Sequence, residues 1–197
     1  ETIRAEQFPD VDENAVRGMA DRLDEEDMAE EGVRKNLAAM AKQMLKEDMD
    51  PDRTKVILKN IYKDEMSDVG GEALSEMAKG MGSDQFRDLG GEKVGAMAKN
   101  MDRGQYKKAG SKAVKNMVDQ LDAEQIASDL KEKVADMASA MGVGEYEAIG
   151  YEKIKVIFET IRAEQFPDVD ENAVRGMADR LDEEDMAEEG VRKNLAA

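Results

Sequence analysis

The chain carries two identical copies of one long segment, because residues 1–39 recur without a change as residues 159–197. The copies begin at positions 1 and 159, so the period of this repeat is 158 residues. An identity of this length does not arise by chance, and a fixed period is typical of proteins built from stacked modules. We therefore expect a modular chain in which each module depends on its neighbours.

A shorter and more divergent repeat of 20 residues lies inside the long period. It is clearest in four consecutive copies, at residues 70–89, 90–109, 110–129 and 130–149. A unit of this size cannot bury a core of its own, so stacking between neighbouring units must supply the buried surface.

Three apolar columns recur in the copies at positions i, i+3 and i+7. The columns are Leu74, Val94, Val114, Val134, Ile154 and Val174; then Met77, Met97, Met117, Met137, Ile157 and Met177; then Met81, Met101, Leu121, Met141, Ile161 and Leu181. This spacing places all three on one stripe of an α-helix, which predicts a helix of about 12 residues in each copy.

A large anchor residue follows the third column in every unit. The anchors are Phe8, Met28, Met49, Met66, Phe86, Tyr106, Ile126, Tyr146, Phe166 and Met186. The steps between them are 20, 21, 17 and then 20 residues, and the eight steps from Phe8 to Phe166 complete the 158-residue period. We interpret the anchors as packing residues between repeats, each carried by a short helix.

The pattern predicts an all-α fold in which long and short helices alternate. Gly82 and Gly90-Gly91 stand at junctions, where caps and left-handed turns are expected. We expect one continuous α-solenoid over residues 1–197, rising as a spiral and not closing as a ring, because residue 159 cannot occupy the position of residue 1. The short step from Pro51 to Met66 predicts an irregular unit, and Pro51 is expected to break the helix of Met40 and Met44.

Two six-residue segments, MDRGQY at 101–106 and LDAEQI at 121–126, share one local pattern. A short helix entered through Asp and Gln, beside a helix with paired Met or Leu, resembles the helical-repeat superhelix of the MgtE transporter N-terminal domain and of the FliG middle domain. Those families often have Pro where this chain has Asp, Gly or Arg. The resemblance covers the periodicity and implies a right-handed superhelix with an interaction role, without any functional residue or magnesium site.

The composition removes most catalytic chemistry. The chain has no His, no Cys and no Trp, so the usual nucleophiles, general bases and transition-metal ligands are missing. We therefore expect no enzymatic activity and no cofactor. A net charge of −17 without an apparent basic stripe argues against nucleic acid and anionic membrane surfaces as partners. Apolar runs as short as 56–58 and 156–158 predict no membrane insertion.

The sharpest metal candidate is a partial calcium loop, present in both copies of the long repeat. Its oxygens come from Asp10, Asp12, Asn14 and Asp21, and in the second copy from Asp168, Asp170, Asn172 and Asp179. Ala15 stands where the calcium loop needs Gly, and Asp21 is shorter than the bidentate Glu that ends such loops. We predict no metal site here; Asp10 or Asp12 more simply caps the helix of Val16 and Met19.

Three other features allow a functional and a structural interpretation. The acidic run Glu25-Glu26-Asp27 with Glu30-Glu31 offers paired carboxylates for glycoside hydrolysis, yet without Trp platforms a solvated acidic face is favoured. The Met columns suit either an adaptable peptide-binding surface or the core, and their helical spacing favours the core. Gly142-Val143-Gly144 lacks the third Gly of a dinucleotide fingerprint, so no nucleotide binding is indicated.

Three hypotheses on function remain open. The first is a structural spacer, scaffold or filament, built from a longer tandem array of which this chain holds about one and a quarter periods. The second is a binding module whose acidic face holds a protein or a basic peptide. The third is an engineered chain with a duplicated terminus. Expected partners are neighbouring copies of the repeat, including end-to-end self-association, or another protein. The sequence assigns no cellular compartment.

Overall fold

The computed structural model describes residues 13–20, 22–43 and 50–181. Every regular element in these ranges is helical and none is a β-strand, which confirms the all-α prediction. The chain divides into two compact units, Glu1–Met101 and Asp102–Ala197.

The first unit contains short and medium helices in succession. They are α1 (Glu13–Ala20), α2 (Glu25–Ala29), α3 (Glu31–Arg34), α4 (Leu37–Gln43), α5 (Pro51–Asn60), α6 (Met66–Val69), α7 (Gly71–Gly80), α8 (Ser83–Leu89) and α9 (Gly91–Lys99). From α5 onward a longer helix alternates with a shorter one, as the 20-residue repeat predicts.

The second unit continues the alternation with two departures from α-helical geometry. Its α-helices are α10 (Arg103–Ala109), α11 (Ser111–Gln120), α12 (Val134–Ala138), α13 (Val143–Ala148), α14 (Tyr151–Thr160) and α15 (Glu171–Ala178). A π-helical turn at Gln125–Asp129 and a 3-10 helix at Ala163–Asp168 take the places of two short helices.

One capping interaction begins five of the short elements, from α8 to the 3-10 helix. A backbone N–H donates to the side-chain oxygen of a Gln or Glu three residues later. The pairs are Gly82 to Gln85 at 3.0 Å, Asp102 to Gln105 at 2.8 Å, Asp122 to Gln125 at 3.0 Å, Gly142 to Glu145 at 3.0 Å and Arg162 to Gln165 at 3.1 Å. The Asp and Gln pattern seen in the sequence is therefore a helix-start signal.

Glycines with positive φ join short helices to the long helices that follow. Gly70, Gly90 and Gly110 have φ of 82°, 82° and 91°, which confirms the left-handed junction predicted at Gly90. A side chain is strained in this conformation, whereas Gly tolerates it. The equivalent Gly150 instead has φ of −63°.

Gly90→Ala should lower the free energy of unfolding by about 1–3 kcal/mol, because alanine cannot adopt this φ without strain. Gly150→Ala is the matched control, since its φ is −63° and nothing lies within 4 Å of an added Cβ. We expect it to change the stability by less than about 0.5 kcal/mol. Urea unfolding of both variants measures the difference, and equal losses would contradict the strain argument.

The first two apolar columns form the core of both units. Every member is buried except Val174, which is half-exposed. The methionines of these columns are 4 % exposed or less, so the core interpretation of the Met stripe is confirmed for the described residues.

The predicted helix length was wrong, because the third column lies outside the helices. The helices α5, α7, α11 and α14 each have 10 residues. Met81, Leu121 and Ile161 follow immediately in extended conformation, with ψ of 137°, 140° and 121°. All three are nevertheless buried, since an extended residue leaving the helix still points into the same core.

The anchors occupy the interior, as the packing interpretation predicts. The described anchors, all buried, are Met28, Met66, Phe86, Tyr106, Ile126, Tyr146 and Phe166. The ring centroid of Phe166 lies 5.1 Å from that of Phe158, in a tilted arrangement that aromatic pairs favour. Phe8, Met49 and Met186 lie outside the described residues.

In the unit around Pro51 to Met66, the short helix α6 has four residues. The 17-residue step runs from Met49, which lies outside the described residues, so the predicted irregularity stays a prediction. Pro51 also begins a helix, because it stands in the first turn of α5, where Asp50 Oδ1 accepts from the N–H of Asp52 at 3.0 Å. The helix α4 is described over Leu37–Gln43, and Met44 lies outside the described residues.

A second irregularity was not predicted. Leu130 stands in the column of the junction glycines and has φ of −109°. Without a left-handed residue, the preceding short helix ends through the π-helical turn, in which the N–H of Leu130 donates to the carbonyl of Gln125 at 2.9 Å. The absence of Gly at this position is the signal that the sequence offered.

Within each unit, an element packs mainly against the third element after it. In the first unit α1 contacts α4, α5 contacts α8 and α6 contacts α9. In the second unit the π-helical turn and the 3-10 helix count as elements, and there α10 contacts α12, α11 contacts α13 and α13 contacts α15. Side-chain hydrogen bonds follow the same register, joining Gln85 to Asp52, Ser111 to Glu145 and Lys59 to Glu25 across 33, 34 and 34 residues.

Candidate functional surfaces

The calcium candidates of the second copy serve helix ends. Asp170 is the N-cap of α15, and its Oδ1 accepts from the N–H of Asn172 at 3.0 Å. Asp179 follows α15, with Oδ2 at 3.8 Å from Nε of Arg175. Asp168 ends the 3-10 helix. Capping by Asp170 is the structural interpretation given above for the equivalent position in the first copy.

The first-copy candidates cannot be placed in the same way. Asp10, Asp12 and Asp21 lie outside the described residues, as does the side chain of Asn14. Within 13–20, 22–43 and 50–181, no group of three or more Asp or Glu residues is arranged to hold a metal ion. A calcium site therefore receives no geometric support from the second copy.

The acidic run before and within α2 and α3 is occupied by caps and ion pairs. Asp24 and Asp27 cap each other reciprocally, with distances of 2.8 and 3.1 Å between backbone nitrogen and carboxylate oxygen. Oε1 of Glu25 lies 3.2 Å from Nζ of Lys59. Oε1 of Glu31 lies 2.6 Å from Nζ of Lys35, and this hydrogen bond lowers the pKa of the Glu31 carboxyl. These contacts favour a solvated acidic face over a catalytic carboxylate pair.

Two half-buried lysines reach the ends of helices in preceding repeats. Lys153 Nζ donates to the carbonyls of Val118 at 3.0 Å and Asp119 at 2.5 Å, both near the end of α11. Lys93 Nζ donates to the carbonyl of Ile61, which follows α5. A cation at a helix C-terminus complements the helix dipole, so both amines act as caps between repeats. Burial lowers the pKa of each amine below its usual value.

The pKa values of two buried tyrosines are shifted upward, in the direction opposite to those of the two lysines. Burial raises the pKa of Tyr106 and Tyr146 above the usual value of 10.0, and the hydroxyl of Tyr146 donates to the carbonyl of Ala138 at 3.0 Å. Their contribution to stability is present below pH 10 and is lost as pH rises further, because unfolded tyrosines ionise there and buried ones do not. The lowered pKa values of Lys93 and Lys153 instead reduce the free energy of unfolding at neutral pH, and this reduction disappears as pH approaches 10.5.

Replacing Tyr106 and Tyr146 by Phe should weaken the alkaline loss of stability. Both chains retain Lys93 and Lys153, so the difference between them isolates the tyrosines. We expect the unfolding free energy of the unmodified chain to fall more between about pH 9 and about pH 11 than that of the double variant. Urea unfolding at the two pH values measures this, and equal falls would exclude the tyrosine contribution.

A small basic patch interrupts the acidic surface. Lys107 and Lys108 in the last turn of α10 and Lys112 in the first turn of α11 are all exposed. Lys112 stands in a column that is acidic in four other copies of the repeat, at Glu72, Glu92, Glu132 and Glu152. The overall charge of −17 hides this patch, which a column-by-column comparison of the repeats would have found.

The glycine pair at Gly142 and Gly144 serves a helix start. Gly142 is the N-cap of α13, and its N–H donates to Glu145 Oε2 at 3.0 Å. The helix is preceded by α12 and not by a strand. Phosphate binding, which needs a strand, a glycine loop and a helix in succession, receives no support here.

The octapeptide ENAVRGMA forms both α1 and α15, and in each it buries a different face. In α1, Val16 and Ala20 are fully buried, whereas Ala15 and Gly18 are exposed. This helix packs against α4. The exposed face that carries Gly18 is called the glycine face below.

In α15 the glycine face is buried. Ala173, Gly176 and Met177 are inside, whereas the equivalents of the two buried residues of α1 are half-exposed. The face packs against α13 so closely that a Cβ on Gly176 would lie 2.8 Å from Cδ2 of Tyr146 and 3.2 Å from Cα of Val143. The two faces point about 130° apart around a helix with 3.6 residues per turn.

Gly176→Ala should lower the free energy of unfolding by about 1–3 kcal/mol, because the methyl group overlaps the buried Tyr146 ring and α13 must shift. Gly18→Ala makes the same change in the same octapeptide, where nothing described lies within 4 Å. That control should be neutral or should stabilise by up to about 1 kcal/mol through helix propensity. Urea unfolding compares them, and similar effects at both positions would disprove the packing difference.

No protein-family model matches the chain, and no curated protein is significantly similar to it in sequence. Within the described ranges, none of the helices combines the length and the apolar character needed to cross a bilayer.

Proposed function

We propose that the chain is a non-enzymatic structural segment of an α-solenoid array, in which blocks of 158 residues follow one another to form a spacer, scaffold or filament. One observation carries the proposal: the same octapeptide buries one face in α1 and a different face in α15. A helix inside a longer array has neighbours on both sides, and it would bury both faces at once.

The contact register supports the same proposal. Each element packs mainly against the third element after it in the chain. Hydrogen bonds such as that from Gln85 to Asp52 join residues about one and a half repeats apart. Contacts limited to near neighbours are those that solenoids use, because each module is stabilised by the modules beside it. We propose that this register continues over residues 1–197 as one continuous superhelix.

The roles of the polar groups support a function without catalysis. The amines of Lys93 and Lys153 are bound to helix ends, and Asp24, Asp27 and Asp170 cap helices. These five charged groups thus have structural tasks in this fold. The composition lacks His and Cys, so neither an imidazole base nor a thiol nucleophile is present.

Adding one further 158-residue period tests the proposal by small-angle X-ray scattering. The longer chain has about 1.8 times the 197 residues of the original. A solenoid should increase its maximum dimension and radius of gyration nearly in that proportion, whereas a compact globule would increase its radius of gyration only about 1.25-fold.

The two results are far enough apart to be distinguished by one measurement on monodisperse samples. Circular dichroism of both chains provides the control, because helix content per residue should stay constant. An increase close to the globular value, with helix content unchanged, would refute the extended array.

A second candidate function is binding of a protein partner through the charged surface. Exposed Glu72, Glu92 and Glu152 each stand in the first turn of a long helix, and Lys112 takes the same position in α11. An acidic field attracts basic segments, and a local reversal of charge fixes the orientation of a partner. Binding of this kind is compatible with a scaffold, since a solenoid offers an extended surface along its length.

A further inference from the structure

We propose that the glycine face of α1 is a docking site for α13 of a second copy of this chain, which binds there as α13 binds α15 within one chain. The inference rests on the proposed array for its role, whereas its geometry rests only on α1, α13 and α15. It assigns a partner to the exposed face around Gly18.

The occupant is identified by the structure itself. The eight residues of α1 and α15 are the same, and in α15 their glycine face is covered by α13 through Val143 and Tyr146. Identical side chains on an identical helix present the same shape and the same apolar surface. A second copy therefore carries the segment that fits this face, namely Val143–Ala148.

The helix α1 can bind this partner without losing its own packing. Its contact with α4 buries Val16 and Ala20, on a face about 130° from the glycine face. Gly18 is exposed, and none of the described residues approaches a Cβ built there within 4 Å. Docking of α13 would add a contact on the second face and leave the first in place.

The fit depends on the absence of a side chain at one position. At Gly176 the ring of Tyr146 occupies the space of a Cβ, with 2.8 Å between Cδ2 and the built atom. The same overlap would arise at Gly18 in a docked pair. A large residue at Gly18 should therefore abolish docking without changing the packing of the opposite, buried face of α1.

The unmodified chain should stay monomeric because α15 covers α13 in the same molecule. An intramolecular partner has a high effective concentration, so α1 of another copy cannot displace it readily. The duplicated octapeptide thus acts as a cap on α13. Docking between copies becomes visible when α15 is dislodged from α13.

Surface-immobilised Gly176→Leu chain provides the test. Leu at this position overlaps Tyr146 and should release α15, although leucine is a better helix former than glycine. The unmodified chain, flowed over this surface, should bind through its glycine face. The Gly18→Leu chain is the matched analyte, with the same substitution in the same octapeptide, and it should bind about tenfold more weakly or not at all.

An immobilised unmodified chain serves as the reference, and it should capture neither analyte. Circular dichroism of the variant before immobilisation verifies that its helix content falls by no more than the 8 residues of α15. If Gly176→Leu does not fold, Gly176→Ala replaces it with a smaller overlap. Equal binding of the two analytes, or no binding of the unmodified chain to a folded variant, would overturn the inference; neither outcome affects the scattering test of the array.

Discussion

The structure depends on burial between neighbours, because none of the helices in the described residues is long enough to be stable by itself. Isolated helices below about 12 residues are marginal in water, and the longest here have 10 residues. Their apolar columns are buried only because the third element along the chain covers them. This single dependence explains why core methionines, anchors and inter-repeat hydrogen bonds share one register, and why the polar groups are placed at helix ends.

Junction chemistry keeps that register regular. A Gln or Glu side-chain oxygen accepts from the backbone at the start of several short helices, including α8 and α10, and left-handed glycines follow short helices at Gly70, Gly90 and Gly110. Where Leu130 replaces the glycine, the short element is a π-helical turn and the following α12 has only five residues, while Ile126 and Val134 remain buried. Gly150 also lacks a positive φ, yet the α14 helix that follows it has 10 residues.

Much of the fold could be predicted from the sequence, because apolar spacing reports which side of a helix is buried. The columns at Leu74 and Met77 and the anchor Phe86 are inside as expected. The same spacing could not show that Met81 lies beyond its helix, since an extended residue can point to the same core. Nor could it show which element covers which, because periodicity carries no information on the partner. The calcium pattern is ambiguous for a related reason: carboxylates that begin a helix and carboxylates that bind a cation are the same residue types.

The octapeptide that occurs twice shows most clearly which features of the fold a local sequence does not determine. No local property distinguishes Gly18 from Gly176, yet one is exposed and the other lies against Tyr146. The difference comes entirely from the chain on either side: α1 is covered by a helix that follows it, and α15 by a helix that precedes it. The helix formed by this octapeptide has two separate packing faces, and each is buried in one of its two copies. Glycine at this position makes room for Tyr146 in α15, whereas none of the described residues lies within 4 Å of a Cβ built at the same position in α1.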